Sequence, residues 1–266
     1  MPTQSAPSAD PARFDPPGFG YDAAVLERFP TIRAGVVRAT GLLNTPSAPE
    51  LQDRYRVEQQ AVYERLSEVP IATHSSITAW RRVFTAFGAK PTQHRNAAEA
   101  LLRRLHKRGD IPSISTLVDI GNLVSIRHSM PVAVVDAGRV ADPISVRFAD
   151  GTEPFADLGS SESVHPEPGE VVFVDGDGVV CARRWCWRQS AQSATGPDTV
   201  GALYVVEGHH DTAEDDIRQA LDLLVSLLAA HQPGAETTAY ALSPANPSVE
   251  DALSSESSHS ASGSSS

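Results

Sequence analysis

The stretch that decides the fold is SISTLVDIGNLVSIRHSMPVAVVD, residues Ser113–Asp136. Its first half carries apolar residues at helical spacing, and its last six residues alternate with a period of two. The change of period predicts a helix over Ile114–Arg127, capped by Ser113 or Ser115, and a strand directly after it. One polar pair, Asp119 and Asn122, lies three residues apart on a single face of that helix, among apolar neighbours.

This polar pair has two interpretations. A buried amide has four hydrogen-bonding positions, and the interior of a helix offers few partners for them. In the structural interpretation, Asp119 and Asn122 pin neighbouring backbone segments. In the functional interpretation, Asn122 faces a pocket and binds a polar ligand. The residues alone leave both interpretations open.

The elements around this stretch differ on its two sides. Upstream, apolar residues at helical spacing predict helices over Pro49–Leu66, around Ile77–Phe87 and from a Thr92 cap to Gly109. Downstream, ISVRFAD, GEVVFVD, VVCARRWCWRQ and GALYVVEG alternate as strands do, and a helix from Thr212 closes the series. Helices followed by strands and one closing helix predict an α+β fold with a mostly antiparallel sheet.

The ends of the chain differ in composition from the middle. Residues 1–22 are rich in Pro, Ala and Ser, and residues 234–266 end in SSESSHSASGSSS. Because neither segment has enough apolar residues to offset chain entropy, we expect two disordered tails around one domain over residues 23–233. The chain has two cysteines, no apolar run of about 20 residues and no signal-peptide pattern. We therefore expect a cytoplasmic protein that does not enter a membrane.

The net charge of −11 is unevenly distributed. Residues 81–108 contain eight basic residues against a single acid, Glu99. Because screening makes exposed charges act locally, such a region attracts phosphate even on an acidic protein. The alternative is an ordinary solvated helix face. The RNA-binding candidates in this region are Arg95, Arg103, Arg104, Lys107 and Arg108.

The run CARRWCWRQS, residues 181–190, interleaves arginines with tryptophans. On one strand, Arg183, Trp185 and Trp187 would share a face, and Arg184, Cys186 and Arg188 would share the other. This composition suits stacking on bases and pairing with phosphates, so Arg184 and Arg188 join the RNA-binding candidates. The alternative places the tryptophans in the core, with the arginines extending to solvent.

Other chemical motifs are weak. The run GHHD, Gly208–Asp211, could supply metal ligands, but a histidine pair at the start of a helix is more often solvated. The chain has no glycine-rich phosphate loop and no G-x-S-x-G nucleophile motif. We therefore expect no metal and no other cofactor.

Several of these runs together resemble a known family. IPSISTLVDIGNLVSIRHSMPVAVVD, GEVVFVDGDGVVCARRWCWRQS and ALYVVEG resemble the B3/B4 domain of the phenylalanyl-tRNA synthetase beta subunit. FGAKPTQHRNAAEALLRR and LVDIGNLVS are typical of free-standing bacterial proteins made of that domain alone. The resemblance covers residues 28–232. It implies a B3/B4-like fold and a cleft for the aminoacylated 3′ end of tRNA; in the synthetase, this domain hydrolyses tyrosine wrongly attached to the phenylalanine tRNA.

The resemblance also assigns site positions. Asn122 matches the asparagine that helps to bind the misattached amino acid, with Asp119 as its brace. The arginine, histidine and glutamate of the synthetase site fall at Pro112, at Ala133 and near Gln189. Because none of these three side chains is a proton relay or a base, no catalytic residue is assigned, and hydrolysis would depend on substrate hydroxyls and backbone groups. The substrate-binding candidates are Asn122, Asp119, Ala133, Gln189 and Trp187.

The expected function is therefore binding of tRNA, with hydrolysis of mischarged aminoacyl-tRNA in trans. The partner would be an aminoacyl-tRNA or its 3′ end, or a free amino acid. We expect no ATP-binding or class II synthetase core in a chain of this length, so the chain alone should not charge tRNA. Two other classes stay open: a non-catalytic module that binds tRNA or an amino acid, and a protein-interaction domain.

Overall fold

A computed structural model describes residues 16–160 and 162–254 of the protein. The helices are α1 Ala23–Arg28, α2 Pro49–Glu68, α3 Ser75–Ala86, α4 Ala97–Arg108, α5 Thr116–His128 and α6 Ala213–His231. The strands are β1 Phe19–Tyr21, β2 Arg33–Thr40, β3 Val132–Asp136, β4 Ile144–Phe148, β5 Phe155–Ala156, β6 Ser163–Val164, β7 Val171–Val174, β8 Val180–Arg183, β9 Arg188–Gln189, β10 Gly201–Gly208 and β11 Glu236–Leu242. The α+β class predicted from the order of elements is confirmed.

The central sheet has the order β11-β2-β10-β3, with each neighbouring pair antiparallel. All eight residues of β10 are buried, so both faces of this strand are covered. Because side chains alternate along a strand, Ala202 and Tyr204 face one layer while Leu203 and Val205 face the other. β10 therefore contributes to two hydrophobic cores, as its neighbours β2 and β3 also do.

The first core lies between the central sheet and the helices α2, α4, α5 and α6. Gly121 allows α5 to approach β3 closely, because an added Cβ would lie 2.6 Å from Cγ2 of Val134. Tyr204 ties the layers together by donating a hydrogen bond from its hydroxyl to the backbone carbonyl of Leu117, at 3.1 Å. The stretch used to predict the fold therefore packs as one unit against β10.

The second core lies on the opposite face of the central sheet, under a sheet of order β1-β4-β7-β8-β9. In this sheet β1 is parallel to β4 and the other pairs are antiparallel. Trp80 of α3 and Trp185, both fully buried, meet edge to face with ring centroids 5.3 Å apart. The molecule is thus layered as helices, sheet and second sheet.

The predicted tail boundaries are wrong at both ends. Residues 19–21 form β1, and residues 236–242 form β11, which pairs along β2. Tyr240 and Leu242 of β11 are buried in the second core, together with Val249 from a helical segment at 249–254. The sequence prediction missed these elements because their few apolar residues lie in segments rich in serine and proline. Residues 1–15 and 255–266 of the predicted tails lie outside the described residues.

The helix starts also differ from their predicted caps. Asn96, not Thr92, caps α4, and its side chain accepts a hydrogen bond from the Glu99 amide. α5 begins at Thr116, with Ser115 as a cap residue that makes no side-chain capping bond. α4 ends at Gly109 in a left-handed conformation, as predicted. Within residues 16–160 and 162–254, none of the helices combines the length and apolarity needed to cross a membrane.

Candidate functional site

A carboxyl group occupies an inward position of β10. Leu203 and Val205 face the second sheet. Glu207, two residues after Val205 and near the end of the strand, faces the same way. Its side chain is therefore directed into the layer between the sheets, and only 2% of the residue is exposed. An acid at this position requires hydrogen-bond partners, because burial without them costs several kcal/mol.

The partners of Glu207 are neutral donors. The hydroxyl of Tyr21 donates to Oε1 at 2.6 Å, and the indole Nε1 of Trp185 donates to the same oxygen at 2.7 Å. Burial raises the pKa of Glu207 to about 7, although both hydrogen bonds act in the opposite direction. A carboxyl group with such a pKa exchanges protons near neutral pH, which is the property of a general acid or base.

Glu207 lines a cavity of about 70 Å³. Three of the residues predicted to bind substrate, Ala133, Trp187 and Gln189, line the same cavity. The cavity is completed by residues of α4, β3, β7 and the β8–β9 hairpin: Ala97, Pro131, Val132, Phe173, Ala182, Trp185, Cys186 and Arg188. The structure thus brings these three predicted positions to a carboxyl group that the sequence prediction missed; their contact with substrate stays a prediction.

The signal for Glu207 was present in the sequence. In GALYVVEG, it is the sole charged residue of a strand that is otherwise apolar or glycine, and its parity matches that of Leu203 and Val205. An acid on the inward face of a buried strand indicates a functional or structural constraint. The predicted glutamate position near Gln189 holds an amide, so the carboxyl group of the cavity comes from another strand.

The β8–β9 hairpin forms one wall of the cavity, and the prediction of one continuous strand there is wrong. β8 ends at Arg183, and the chain turns through Arg184 and Trp185, whose φ values are +44° and +60°. Glu170 holds this turn: it forms two hydrogen bonds of 3.0 Å with the Arg183 guanidinium and accepts one from the Arg184 amide at 2.7 Å. The turn drives Trp185 inward to reach Glu207.

Trp187 lies in the turn that joins β8 to β9, and the arginines of this hairpin stack on its ring. The guanidinium carbons of Arg184 and Arg188 lie 4.6 and 4.5 Å from its ring centroid. His94 meets the ring edge to face at 4.7 Å. The predicted strand put Arg184 and Arg188 on the face opposite Trp187, and this is wrong: both cations stack on its ring, so a base would have to replace one of them.

Two further residues with polar side chains, Cys186 and Gln189, line the cavity. Burial, followed by the charge of Glu207, raises the pKa of the Cys186 thiol well above its usual value. A thiol held protonated in this way is a poor nucleophile. The amide nitrogen of Gln189 donates to the backbone carbonyls of Val134 and Ser193, at 2.8 and 2.9 Å, so its N–H groups anchor the wall.

A second concave surface, a basic cleft, lies next to the first residues of α4, close to the Glu207 cavity. It is an open cleft of about 620 Å³ between α3, α4 and the loop that joins them, and four arginines line it: Arg81, Arg82, Arg95 and Arg103. The remaining RNA-binding candidates of α4, Arg104, Lys107 and Arg108, are exposed and lie outside this lining. The structure therefore divides the predicted basic face into two sets.

Glu99 is buried below the cleft and holds three of its arginines in place. Only 1% of this residue is exposed, and Arg81 binds its carboxylate through two hydrogen bonds of 2.6 and 3.0 Å. Arg103 adds a bond of 2.7 Å, and Nε of Arg95 lies 3.7 Å from Oε1. Burial alone would raise the pKa of Glu99, but the hydrogen bonds from the two arginines outweigh it and hold the pKa below its usual value.

Asp119 and Asn122 lie outside the lining of the Glu207 cavity. Asp119 is fully buried and accepts hydrogen bonds from the hydroxyls of Ser47 and Ser113 and from the amide of Ile114. These contacts match the interpretation in which Asp119 pins backbone, here the segments before α2 and α5. Asn122 is half-buried and lies beside the hydroxyl of Tyr55.

The histidine pair of GHHD is buried, so the expectation of a solvated pair is wrong. His209 packs edge to face on Trp80 and Trp185, and burial lowers its pKa to about 3. His210 makes a hydrogen bond of 2.8 Å with Asp216. In the part of the chain that the structure describes, no three His, Cys, Asp or Glu side chains are grouped to hold a metal ion.

Comparison with known proteins identifies the class. The family model of the B3/4 domain matches residues 79–231, which is more than half of the chain. The chain therefore belongs to the B3/4 domain family.

Two individual proteins are similar to this chain. The uncharacterized protein YhzB of Bacillus subtilis (strain 168) is 20% identical over 158 residues, which are 56% of this chain and 76% of that protein. The crystal structure of an N-terminal fragment of the phenylalanyl-tRNA synthetase beta subunit from Pyrococcus horikoshii superposes with a TM-score of 0.42 at 13% identity. That alignment covers 82% of this chain and 49% of the fragment, so the chain spans about half the fragment's length.

Proposed function

We propose that this protein binds aminoacyl-tRNA and hydrolyses the ester bond of a mischarged amino acid in trans. The observation that carries the proposal is Glu207, a buried carboxyl group with a pKa of about 7 on a cavity. Membership of the B3/4 domain family and the motif resemblance to the synthetase editing domain support the choice of substrate.

In the proposed reaction, the Glu207 carboxylate removes a proton from a water molecule, whose oxygen attacks the ester carbonyl carbon. The bond to the ribose oxygen then breaks, the ribose oxygen takes up the proton, and the amino acid and the free tRNA leave. Tyr21 and Trp185 both bind Oε1, so Oε2 is the oxygen that would take the proton. These two donors keep the carboxyl group oriented without supplying a cation that would abolish its basicity.

The cavity's walls support binding of an amino-acid part with a small side chain, because its volume is about 70 Å³. Phe173, Trp187 and Ala182 are apolar surfaces around the carboxyl group, and the backbone of Ala97 marks the start of α4. The small side chain of Ala133, where the synthetase pattern has histidine, leaves room instead of a proton relay. Substrate contacts by Ala133, Trp187 and Gln189 belong to this proposal.

The test is deacylation of a panel of mischarged tRNAs by the purified protein. We expect one or more to be hydrolysed faster than spontaneously, and we expect Glu207→Gln to lower that rate by about 10²–10⁴-fold. Asp177→Asn, in the exposed turn between β7 and β8, is the matched carboxyl-to-amide control and should retain the rate. Binding of the tRNAs with no deacylation would favour the non-catalytic module instead.

A further inference from the structure

The basic cleft between α3 and α4 has an excess of positive charge that its own structure does not neutralise. Arg81, Arg95 and Arg103 surround one carboxylate, that of Glu99, which balances one of the three charges. Arg82 adds a fourth guanidinium, and none of the described residues that line the cleft is acidic. Because four like charges around one open cleft repel one another, a bound anion would stabilise this arrangement.

The donors of the cleft are oriented in advance. The bonds to Glu99 use two of the five N–H groups of Arg81 and one of those of Arg103. The side chains of Arg81, Arg95 and Arg103 remain 30%, 40% and 43% exposed, so their other N–H groups meet the cleft. A guanidinium fixed in this way binds the paired oxygens of a phosphate with little further loss of entropy.

The lining indicates recognition of phosphates rather than of bases. No described residue lining the cleft is aromatic, so it offers no ring on which a base could stack. The hydroxyls of Thr78 and Thr85 already donate to the backbone carbonyls of Ala72 and Arg81. Guanidinium groups are therefore its principal donors, and its volume of about 620 Å³ exceeds what a single phosphate group fills.

The position of the cleft connects it to the Glu207 cavity. Arg95 lines the cleft, and Ala97, two residues later, lines the cavity and donates its amide to the backbone carbonyl of Cys186 at 2.8 Å. Two residues of chain span at most about 7 Å. A polymer whose terminal ester lies at Glu207 would therefore place its preceding phosphates beside the arginines.

We propose that the cleft lined by Arg81, Arg82, Arg95 and Arg103 binds successive backbone phosphates of the single-stranded 3′ end of the RNA, without reading its bases. This inference rests on the proposed function for the identity of the polymer. It assigns the RNA contact to the cleft rather than to the exposed face of α4, and it adds Arg81 and Arg82 to the residues expected from the sequence.

The experiment compares two double variants for binding to uncharged tRNA and to a labelled single-stranded RNA of its acceptor end. Arg82→Gln/Arg95→Gln removes two cleft charges while Arg81 and Arg103 continue to pair with Glu99. Arg56→Gln/Arg218→Gln removes two exposed charges on α2 and α6, each paired with a nearby aspartate. Thermal melting of both variants confirms that each is folded.

We expect the cleft variant to bind either RNA about tenfold or more weakly at low salt, with a salt dependence shallower by about 1.4, because two single-strand phosphate contacts are lost. The control should stay within twofold of the unchanged protein. A scrambled RNA of equal length should bind as well as the acceptor end. Unchanged affinity in the cleft variant, an equal loss in the control, or no RNA binding by the unchanged protein would each overturn the assignment.

A competition arm distinguishes RNA from a free phosphate compound. ADP should displace the labelled RNA only at a concentration at least 100-fold above that of unlabelled RNA; displacement at equal concentration would show that the cleft takes a small diphosphate instead. Because all these ligands lack the ester, the result does not depend on hydrolysis. Loss of RNA binding in the cleft variant, combined with no deacylation by the unchanged protein, would refute the proposed hydrolysis alone.

Discussion

Two glutamates of this protein have almost no exposed surface and opposite acid–base behaviour, and Glu207 lies deeper in the molecule than Glu99. Glu99 is 1% exposed and Glu207 is 2% exposed. The pKa of Glu99 lies below its usual value because Arg81 and Arg103 bind its carboxylate, whereas burial raises the pKa of Glu207 to about 7. The partners of Glu207, a hydroxyl and an indole, are neutral.

The difference shows that the depth of burial and the charge of the hydrogen-bond partners together decide the charge of a carboxyl group. Two guanidinium donors compensate the lost hydration of Glu99, so it stays ionised and holds the cations of the cleft. Two neutral donors compensate only part of that loss at Glu207, so its proton is retained until near neutral pH. Glu99 therefore keeps its charge at neutral pH, whereas Glu207 is a group suited to proton transfer.

The largest effect on stability is expected when Glu99, the ionised carboxylate of this comparison, is replaced. Glu99→Gln should lower the free energy of unfolding by about 2–3 kcal/mol at pH 7, because it leaves three neighbouring arginines without their counter-ion. The expected loss is below that of a fully buried pair, since the arginine side chains stay partly exposed. Urea denaturation measures it, with the exposed Glu64→Gln on α2 as control.

The pH dependence sharpens this prediction. Because folding lowers the pKa of Glu99, its stabilisation is present above the usual carboxyl pKa of 4.5 and is lost as the pH falls below it. The stability difference between Glu99→Gln and the unchanged protein should therefore shrink in acid. A constant difference, or a loss under about 0.5 kcal/mol at pH 7, would remove Glu99 from the role described.

Glu207→Gln should have the opposite effect on stability. The folded protein keeps a proton on Glu207 up to pH 7, while the unfolded chain loses it near pH 4.5, so stability falls as the pH rises through this window. The glutamine avoids that penalty. From pH 5 to pH 8, we expect the variant to gain about 2–3 kcal/mol relative to the unchanged protein. A relative stability that is independent of pH would show that Glu207 is ionised throughout.

Much of the fold follows from periodicity in the sequence. The alternation in GALYVVEG predicted β10, and the change of period within residues 113–136 predicted α5 followed by β3. These elements are long or strongly patterned, so local signals suffice. β1 and β11 were missed because their apolar residues are few, and because their stability comes from pairing with β4 and β2, which are distant in the sequence.

The site was harder to predict than the fold. The alternation of arginine and tryptophan in residues 183–188 matches a strand, yet Arg184 and Trp185 adopt left-handed conformations. Such conformations cost about 1 kcal/mol or more for residues other than glycine, and they persist here because Glu170, thirteen residues before Arg183, holds the turn. A long-range contact of this kind leaves no local signal, whereas Glu207 could have been selected from its parity alone.

A smaller effect tests the neutral partners of Glu207. Tyr21→Phe removes a hydrogen bond that lowers the pKa of this carboxyl group, so the pKa should rise by roughly one unit. Deacylation at pH 7 should then fall by up to about fivefold and recover fully above pH 9. An equal loss at every pH would show that Tyr21 acts on folding or on the substrate rather than on the acidity of Glu207.

The smallest effect concerns Asn122, which borders neither glutamate. As a half-buried residue beside Tyr55, Asn122→Ala should cost about 0.5–1 kcal/mol of stability and leave the deacylation rate per folded molecule within twofold. Melting and deacylation are measured on the same preparation. A variant of unchanged stability that deacylates tenfold more slowly would return Asn122 to the substrate pocket, as the family resemblance implied.

The pH dependence of kcat/KM on a mischarged tRNA, corrected for spontaneous hydrolysis, tests the central claim most directly. If Glu207 is the general base, the rate rises with pH as one proton is lost, is half-maximal near pH 7, and then reaches a plateau. In Glu207→Gln that inflection disappears along with most of the rate. A flat profile between pH 5 and pH 8.5 in the unchanged protein, or a Glu207→Gln variant with the full rate and the same inflection, would contradict it.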